Sequence, residues 1–170
     1  MNLKDKIRVI MDFPEKGIRY KDITTLLKDG DVFKYTINKF VKELEDKDFD
    51  LIAGPESRGF IIGTPIAYAT SKGFIPVRKP GKLPAETIQN KYDLEYGSDS
   101  LEIHKDAIKP GQKVIIADDL LATGGTLLST IKLIEKLGGE VVGIVCLIEL
   151  TYLQGRDLLK GYDVKTLIQY

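Results

Sequence analysis

Two adjacent carboxylates, Asp118 and Asp119, follow the apolar run at 114–117 and precede a small-residue loop, Ala122-Thr123-Gly124-Gly125-Thr126. Each piece alone has an ordinary use, since Asp often caps a turn and Gly-Gly often makes one. Their order is more specific. A strand that ends in two acids can accept hydrogen bonds from a pair of hydroxyls. Glycines then let backbone N–H groups approach an anion, and the following helix adds its N-terminal dipole. The stretch therefore suits a ligand that carries both hydroxyls and a phosphate. Ser57-Arg58-Gly59 repeats the pattern of apolar run, tight turn and helix, with an arginine placed to clamp a diphosphate. Arg78, Lys79 and Lys82 follow a third apolar run and could stabilise a departing anion.

These residues need a scaffold that brings strand ends together. Apolar runs at 49–54, 74–77, 114–117, 141–148 and 164–168 read as strands. Helical patterns fall at 31–45, with Asp29 or Asp31 as its cap, at 60–71 and from Leu127 to Leu137, where Gly138-Gly139 ends the last. A short helix is expected around 156–159. Strand and helix alternate from residue 49 onward. That predicts an α/β fold, a mostly parallel twisted sheet flanked by helices, with ligands at the strands' carboxyl ends. Residues 4–11 have Leu3, Ile7, Ile10 and Met11 at helical spacing, so a first helix is expected there, stopped by Pro14. The polar stretch from Leu83 to about Glu102 alternates without a core pattern, which suits a functional loop or hairpin flap.

Composition sets limits. The chain has 170 residues, 43% hydrophobic and 29% charged, with 25 basic and 25 acidic side chains. One domain is expected, and zero net charge argues against a grip on nucleic acid or a membrane surface. No apolar run approaches the roughly 20 residues of a membrane span. The first residues carry no signal-peptide pattern, so a cytosolic, cytoplasmic protein is expected. Cys146 lies in an apolar run and reads as core; His104 is the single histidine, which leaves no His cluster for zinc. The strand ending in Asp118-Asp119 could pass for a Walker B element, but no G-x-x-x-x-G-K-[ST] loop accompanies it, and no G-x-G-x-x-G opens a helix.

The run from Ala117 to Thr126 resembles the ribose-phosphate signature of the type I phosphoribosyltransferases, and in particular of their adenine-using members. The resemblance extends from Phe13 to Tyr170 in four segments in the same order. It implies transfer of a 5-phosphoribosyl group from phosphoribosyl diphosphate (PRPP) to adenine, giving AMP and pyrophosphate. Xanthine or hypoxanthine transfer, or PRPP sensing without turnover, are the alternatives. By the same resemblance, Asp118 and Asp119 hold the ribose hydroxyls, and Ala122, Thr123, Gly124, Gly125 and Thr126 hold the 5′-phosphate. Ser57, Arg58, Arg78, Lys79 and Lys82 receive the pyrophosphate, and a non-proline cis peptide is expected between Glu56 and Ser57. Leu94-Glu95-Tyr96-Gly97 resembles the family's flap, with Glu95 as the acid/base residue beside the base. An N-terminal hood, residues 1–30, supplies Arg19 and Tyr20 for adenine, and Glu149-Leu150 closes the other face. Tyr20 stands where the family usually has Phe, and Thr25 replaces a common proline. Mg²⁺, held mainly through PRPP oxygens, and a homodimer are also implied.

Overall fold

A computed structural model describes residues 1–93 and 97–170. The chain opens with a 3-10 turn, Leu3–Lys6, and then a small antiparallel pair, β1 (Arg8–Met11) with β2 (Arg19–Asp22). This corrects the helix expected at 4–11. Only Leu3 and Ile7 of that apolar set are buried, whereas Met11 is 57% exposed. Pairing with β2 decides the conformation, and Arg8 Nε donates to Asp22 Oδ2 at 2.9 Å across it. A short helix α1 (Thr24–Leu27) leads to α2 (Gly30–Glu43), whose N-cap is Asp29, its carboxylate accepting from the Val32 amide at 3.2 Å.

The core then alternates: β3 (Leu51–Pro55), α3 (Arg58–Ala69), β4 (Gly73–Val77), the hairpin β5 (Thr87–Asp93) and β6 (Ser98–His104), β7 (Lys113–Leu121), α4 (Gly125–Lys136), β8 (Glu140–Glu149) and β9 (Val164–Gln169). A 3-10 helix, Gly155–Leu159, stands where a short helix is expected. Among the described residues the main sheet is five-stranded and parallel, in the order β4-β3-β7-β8-β9, so β7 is central. Its side chains alternate between two cores. Ile115 and Ala117 face Phe40, Ile62 and Ile66 from α2 and α3; Val114 and Ile116 face Leu127, Ile131 and Ile134 from α4. Each fully buried Ile or Leu stabilises by about 1.5–3 kcal/mol, so the strand that carries the acid pair has firm support on both faces. Cys146 is buried in β8, as its apolar surroundings predict.

Two boundaries bear on the site. β7 does not stop at the acids but runs through them to Leu121, because β8 is long enough to pair Asp118 with Cys146 and Leu121 with Glu149. α4 begins at Gly125, two residues before Leu127. In the stretch expected to be a loop or hairpin flap, β5 and β6 pair antiparallel, and near their base Arg78 joins Glu102 by backbone hydrogen bonds of 3.0 and 2.7 Å. Asn90 of β5 anchors that strand on α4 by donating to Ser129 Oγ at 3.0 Å in a buried contact.

Candidate functional site

The end of β7 places two carboxylates in the sheet's interior: Asp118 is 8% exposed and Asp119 6%. Burial pushes the Asp118 carboxyl well above its ordinary range, and the neighbouring Asp119 charge adds to this. Asp119 is also raised by burial, with Arg58 opposing the shift. Arg58 Nε lies 2.7 Å from Asp119 Oδ2, and the Asp119 amide donates to Asp118 Oδ1 at 2.8 Å. Arg58 reaches the pair because α3 starts directly against it. A Cβ on Gly59 would lie 2.9 Å from Pro55 Cδ and 3.1 Å from Asp118 Oδ1, so a side chain there would displace the helix. The turn before α3 contains the expected cis peptide between Glu56 and Ser57.

Beyond β7 the chain passes Ala122 and Thr123 into Gly124, whose φ of 89° suits glycine and turns the backbone into α4. Glu56, Ser57 and Arg58 on one side, and Asp118 to Leu120 with Ala122 to Leu127 on the other, enclose a cavity of about 390 Å³. The first turn of α4 lines it with amides that have no carbonyl partner inside the helix, an arrangement suited to accepting an anion. All the predicted ribose-phosphate residues, with Ser57 and Arg58, therefore meet in one place. Tyr92 of the hairpin packs on Gly125, within 3.3 Å of where a Cβ would sit, and its hydroxyl is 3.5 Å from Thr126 Oγ1.

Arg78, Lys79 and Lys82 are not part of this wall. Arg78 Nε lies 3.2 Å from Glu56 Oε1, and the same oxygen accepts from the Lys79 amide at 2.7 Å. The Lys79 ammonium is paired with Asp99 of β6, which lowers the Asp99 pKa. The basic segment thus stands behind the Glu56–Arg58 turn and supports it. Glu95 lies outside the described residues.

A second cavity, of about 740 Å³, opens under the hood. Arg19, Tyr20 and Leu150, the predicted base-binding residues, line it together with Ile18, Tyr152 and Leu153. Phe13 meets the Tyr20 ring edge to face at 5.1 Å. Glu149, expected to close this pocket with Leu150, is absent from its wall, which corrects that expectation. Its carboxylate is buried in an ion pair with Arg156, at 2.6 and 2.8 Å, with Thr166 and Gln169 donating as well; hydrogen bonding from Arg156 is the main cause of its lowered pKa. Arg58 and Leu120 line both cavities, so the two share a wall.

Residues 24–168 match the phosphoribosyl transferase domain. The chain belongs to the phosphoribosyltransferase family. It is 62% identical to adenine phosphoribosyltransferase from Clostridium tetani over all of this chain and 99% of that one. A crystal structure of adenine phosphoribosyltransferase from Thermoanaerobacter pseudethanolicus superposes with a TM-score of 0.97, at 59% identity, over 99% of this chain and 98% of that one. The Saccharomyces cerevisiae adenine phosphoribosyltransferase, solved with D-2,5-dideoxy-2,5-imino-altritol 1,6-bisphosphate and adenine, gives 0.93 at 40% identity, over 97% and 96%.

Several residues that shape this phosphoribosyltransferase site carry weak sequence signals. Glu56 reads as an ordinary turn acid until its contacts to Arg78 and Lys79 are seen. Gly155 reads as a turn glycine, yet a Cβ there would lie 2.2 Å from the Ala122 carbonyl oxygen and 2.9 Å from Leu121 Cδ1. It lets the 155 turn press on the anion loop. Ile18, Tyr152, Leu153 and Tyr170 line the hood pocket from separate segments, and no spacing rule links them. Leu120, flanked by functional residues on a core strand, was the one with a usable signal.

Proposed function

We propose that the chain transfers the 5-phosphoribosyl group of PRPP to N9 of adenine, releasing pyrophosphate and forming AMP, as in purine salvage. The observation that carries this reading is the wall common to the two cavities. A base in the hood slot and a ribose on Asp118 and Asp119 would then meet at Arg58 and Leu120. Relatives named adenine phosphoribosyltransferase support the choice of base.

In this reading the acid pair accepts the 2′- and 3′-hydroxyls. The loop from Ala122 to Thr126, with the Thr123 and Thr126 hydroxyls, binds the 5′-phosphate through the amides at the start of α4. The C1–O bond to diphosphate breaks as the N9–C1 bond forms. Positive charge builds on the ribose, and the nearby carboxylates stabilise it. Ser57 and Arg58 face the diphosphate, with Arg78, Lys79 and Lys82 behind them. Tyr20 stacks on the base, the Arg19 backbone reads its edge and Leu150 closes the slot. Glu95 handles the base proton, and the flap keeps water from PRPP.

Mg²⁺ neutralises the diphosphate charge when bound. The described residues contain no cluster of three His, Cys, Asp or Glu that could cage a metal ion. The cavity offers the acid pair, which suits a cation keeping mostly substrate and water oxygens. We also read the protein as a cytoplasmic homodimer. α3 presents Ile61 at 40% and Tyr68 at 89% exposure, and PRPP and AMP are charged molecules that stay in the compartment that makes them.

The test is incubation of the chain with radiolabelled adenine, PRPP and Mg²⁺. Labelled AMP is expected. No AMP overturns the reading, and turnover of xanthine or hypoxanthine alone changes the base.

A further inference from the structure

Stacking by Tyr20 needs only its ring and leaves the hydroxyl for another use. The hydroxyl accepts a hydrogen bond from Arg58 Nη1. The same guanidinium places Nε 2.7 Å from Asp119 Oδ2, and its carbon lies 5.7 Å from the centre of the Tyr20 ring. One planar cation is therefore held at both ends, by the hood on one side and by the buried acid pair on the other.

Where that cation sits matters for the ligand. A sugar diphosphate enters as a polyanion and must approach two buried carboxylates. Arg58 is the positive group between them and the hood. Its side chain is 39% exposed, so an ion pair to Asp119 alone would hold it loosely. A second anchor on the rigid fork of the guanidinium keeps it on the wall that both cavities share.

We infer that Tyr20 is a positioning residue: its hydroxyl pins Arg58 on Asp119 and so couples the base pocket to the ribose-phosphate cavity. The inference deepens the proposed function and rests on it in one respect, that PRPP occupies the cavity at Asp118 and Asp119. Phenylalanine at position 20 keeps the stacking ring and frees the arginine. The cost then falls on PRPP rather than on adenine, although residue 20 lies in the adenine pocket.

The experiment is calorimetric titration of the full chain with PRPP and Mg²⁺, for the native protein, Tyr20→Phe, Arg58→Lys and the double variant, alongside initial rates at varied adenine. Tyr20→Phe is expected to weaken PRPP binding about three- to tenfold, the range for a hydrogen bond to a partly exposed charge. The KM for adenine is expected to stay within about twofold, because the ring that stacks is retained. In the Arg58→Lys background, Tyr20→Phe is expected to change PRPP affinity by less than about twofold, since an ammonium lacks the fork that holds both partners. Unchanged PRPP affinity in Tyr20→Phe overturns the inference. So does an equal loss in both backgrounds, or a loss confined to adenine. A native protein that fails to bind PRPP overturns the functional reading itself, a separate result read from the first titration.

Discussion

The two cavities share Arg58 and Leu120 but are built on opposite plans. The smaller is almost one continuous piece of chain, from Asp118 to Leu127, closed by a single turn at Glu56–Arg58. It sits on the central strand, with buried charges and helix-start amides. The larger draws on Lys4, Gly17 to Lys21, Leu150, Tyr152, Leu153 and Tyr170, and several of its parts lie open: Ile18 is 43% exposed and Tyr152 62%. An anion is held by donors at fixed positions, which a short rigid segment supplies. A flat base is held mainly by contact area, which distant segments can contribute together. The proposed function would thus put the end of the substrate that needs exact charge placement on the central strand, and the end that needs contact area between several separate segments.

The largest expected effect separates the cavities by charge. Replacing Asp118 and Asp119 together by Asn is expected to lower kcat/KM for PRPP by about 10³-fold or more, on the scale of losing preorganised electrostatic groups. Melting curves sharpen the point. Both carboxyls have folded pKa values raised above the ordinary 3.8. The folded chain therefore binds their protons more tightly than the unfolded chain, and this stabilisation, full below the unfolded pKa, is lost as pH rises through the folded values. The Asn pair is expected to melt higher than the native protein near neutral pH, and this gain should shrink as pH falls toward 4. An Asn pair that melts lower at neutral pH would mean the acids stabilise the fold, and the contrast would break.

Gly155→Ala comes next. Its Cβ would meet the Ala122 carbonyl oxygen at 2.2 Å. Overpacking of this kind costs about 1–3 kcal/mol, visible as a lower Tm. A displaced anion loop is expected to reduce kcat/KM for PRPP roughly ten- to hundredfold. A normal Tm with normal PRPP kinetics would show that the two loops are not tightly coupled. The smallest effect tests the hood. Leu150→Ala is expected to raise the KM for adenine about tenfold, the scale of lost apolar contact in a binding slot, while PRPP affinity holds. An equal rise for PRPP would mean the cavities do not divide the substrates.

Legibility followed the same division. Ala117 to Thr126 reads as a strand, acids and a glycine loop because all its chemistry is local, and the structure brings Asp118 to Leu120 and Ala122 to Thr126 to one wall. Even there, polarity misled the boundary. Asp118 and Asp119 look like a strand's end, but pairing with β8 continues the strand to Leu121, a non-local fact. Residues 4–11 were misread for a related reason: Leu3, Ile7 and Ile10 fit a helical period, and only the ladder to Arg19–Asp22 makes β1 extended. Alternation at 83–102 leaves a loop and a hairpin both open, and nothing in it signals the Lys79–Asp99 pair that ties β6 to the basic segment. Ile18, Tyr152 and Tyr170 each look like lone surface residues, because nothing in one segment announces what another will cover. The role of Glu95 stands on resemblance, since it lies outside the described residues.

The backbone contact at Gly124 and Gly155 limits how this protein could be re-engineered. A Cβ on Gly124 would meet the Gly155 carbonyl oxygen at 2.6 Å, just as one on Gly155 would meet Ala122. Residue 155 follows closely on Leu150, Tyr152 and Leu153, the hood pocket's far wall. Lengthening or grafting the segment at 151–155 to enlarge that pocket would therefore drag the loop at 122–126 with it. Changes of substrate are better sought by exchanging single side chains at Ile18, Leu150 or Leu153, with the backbone left as it is.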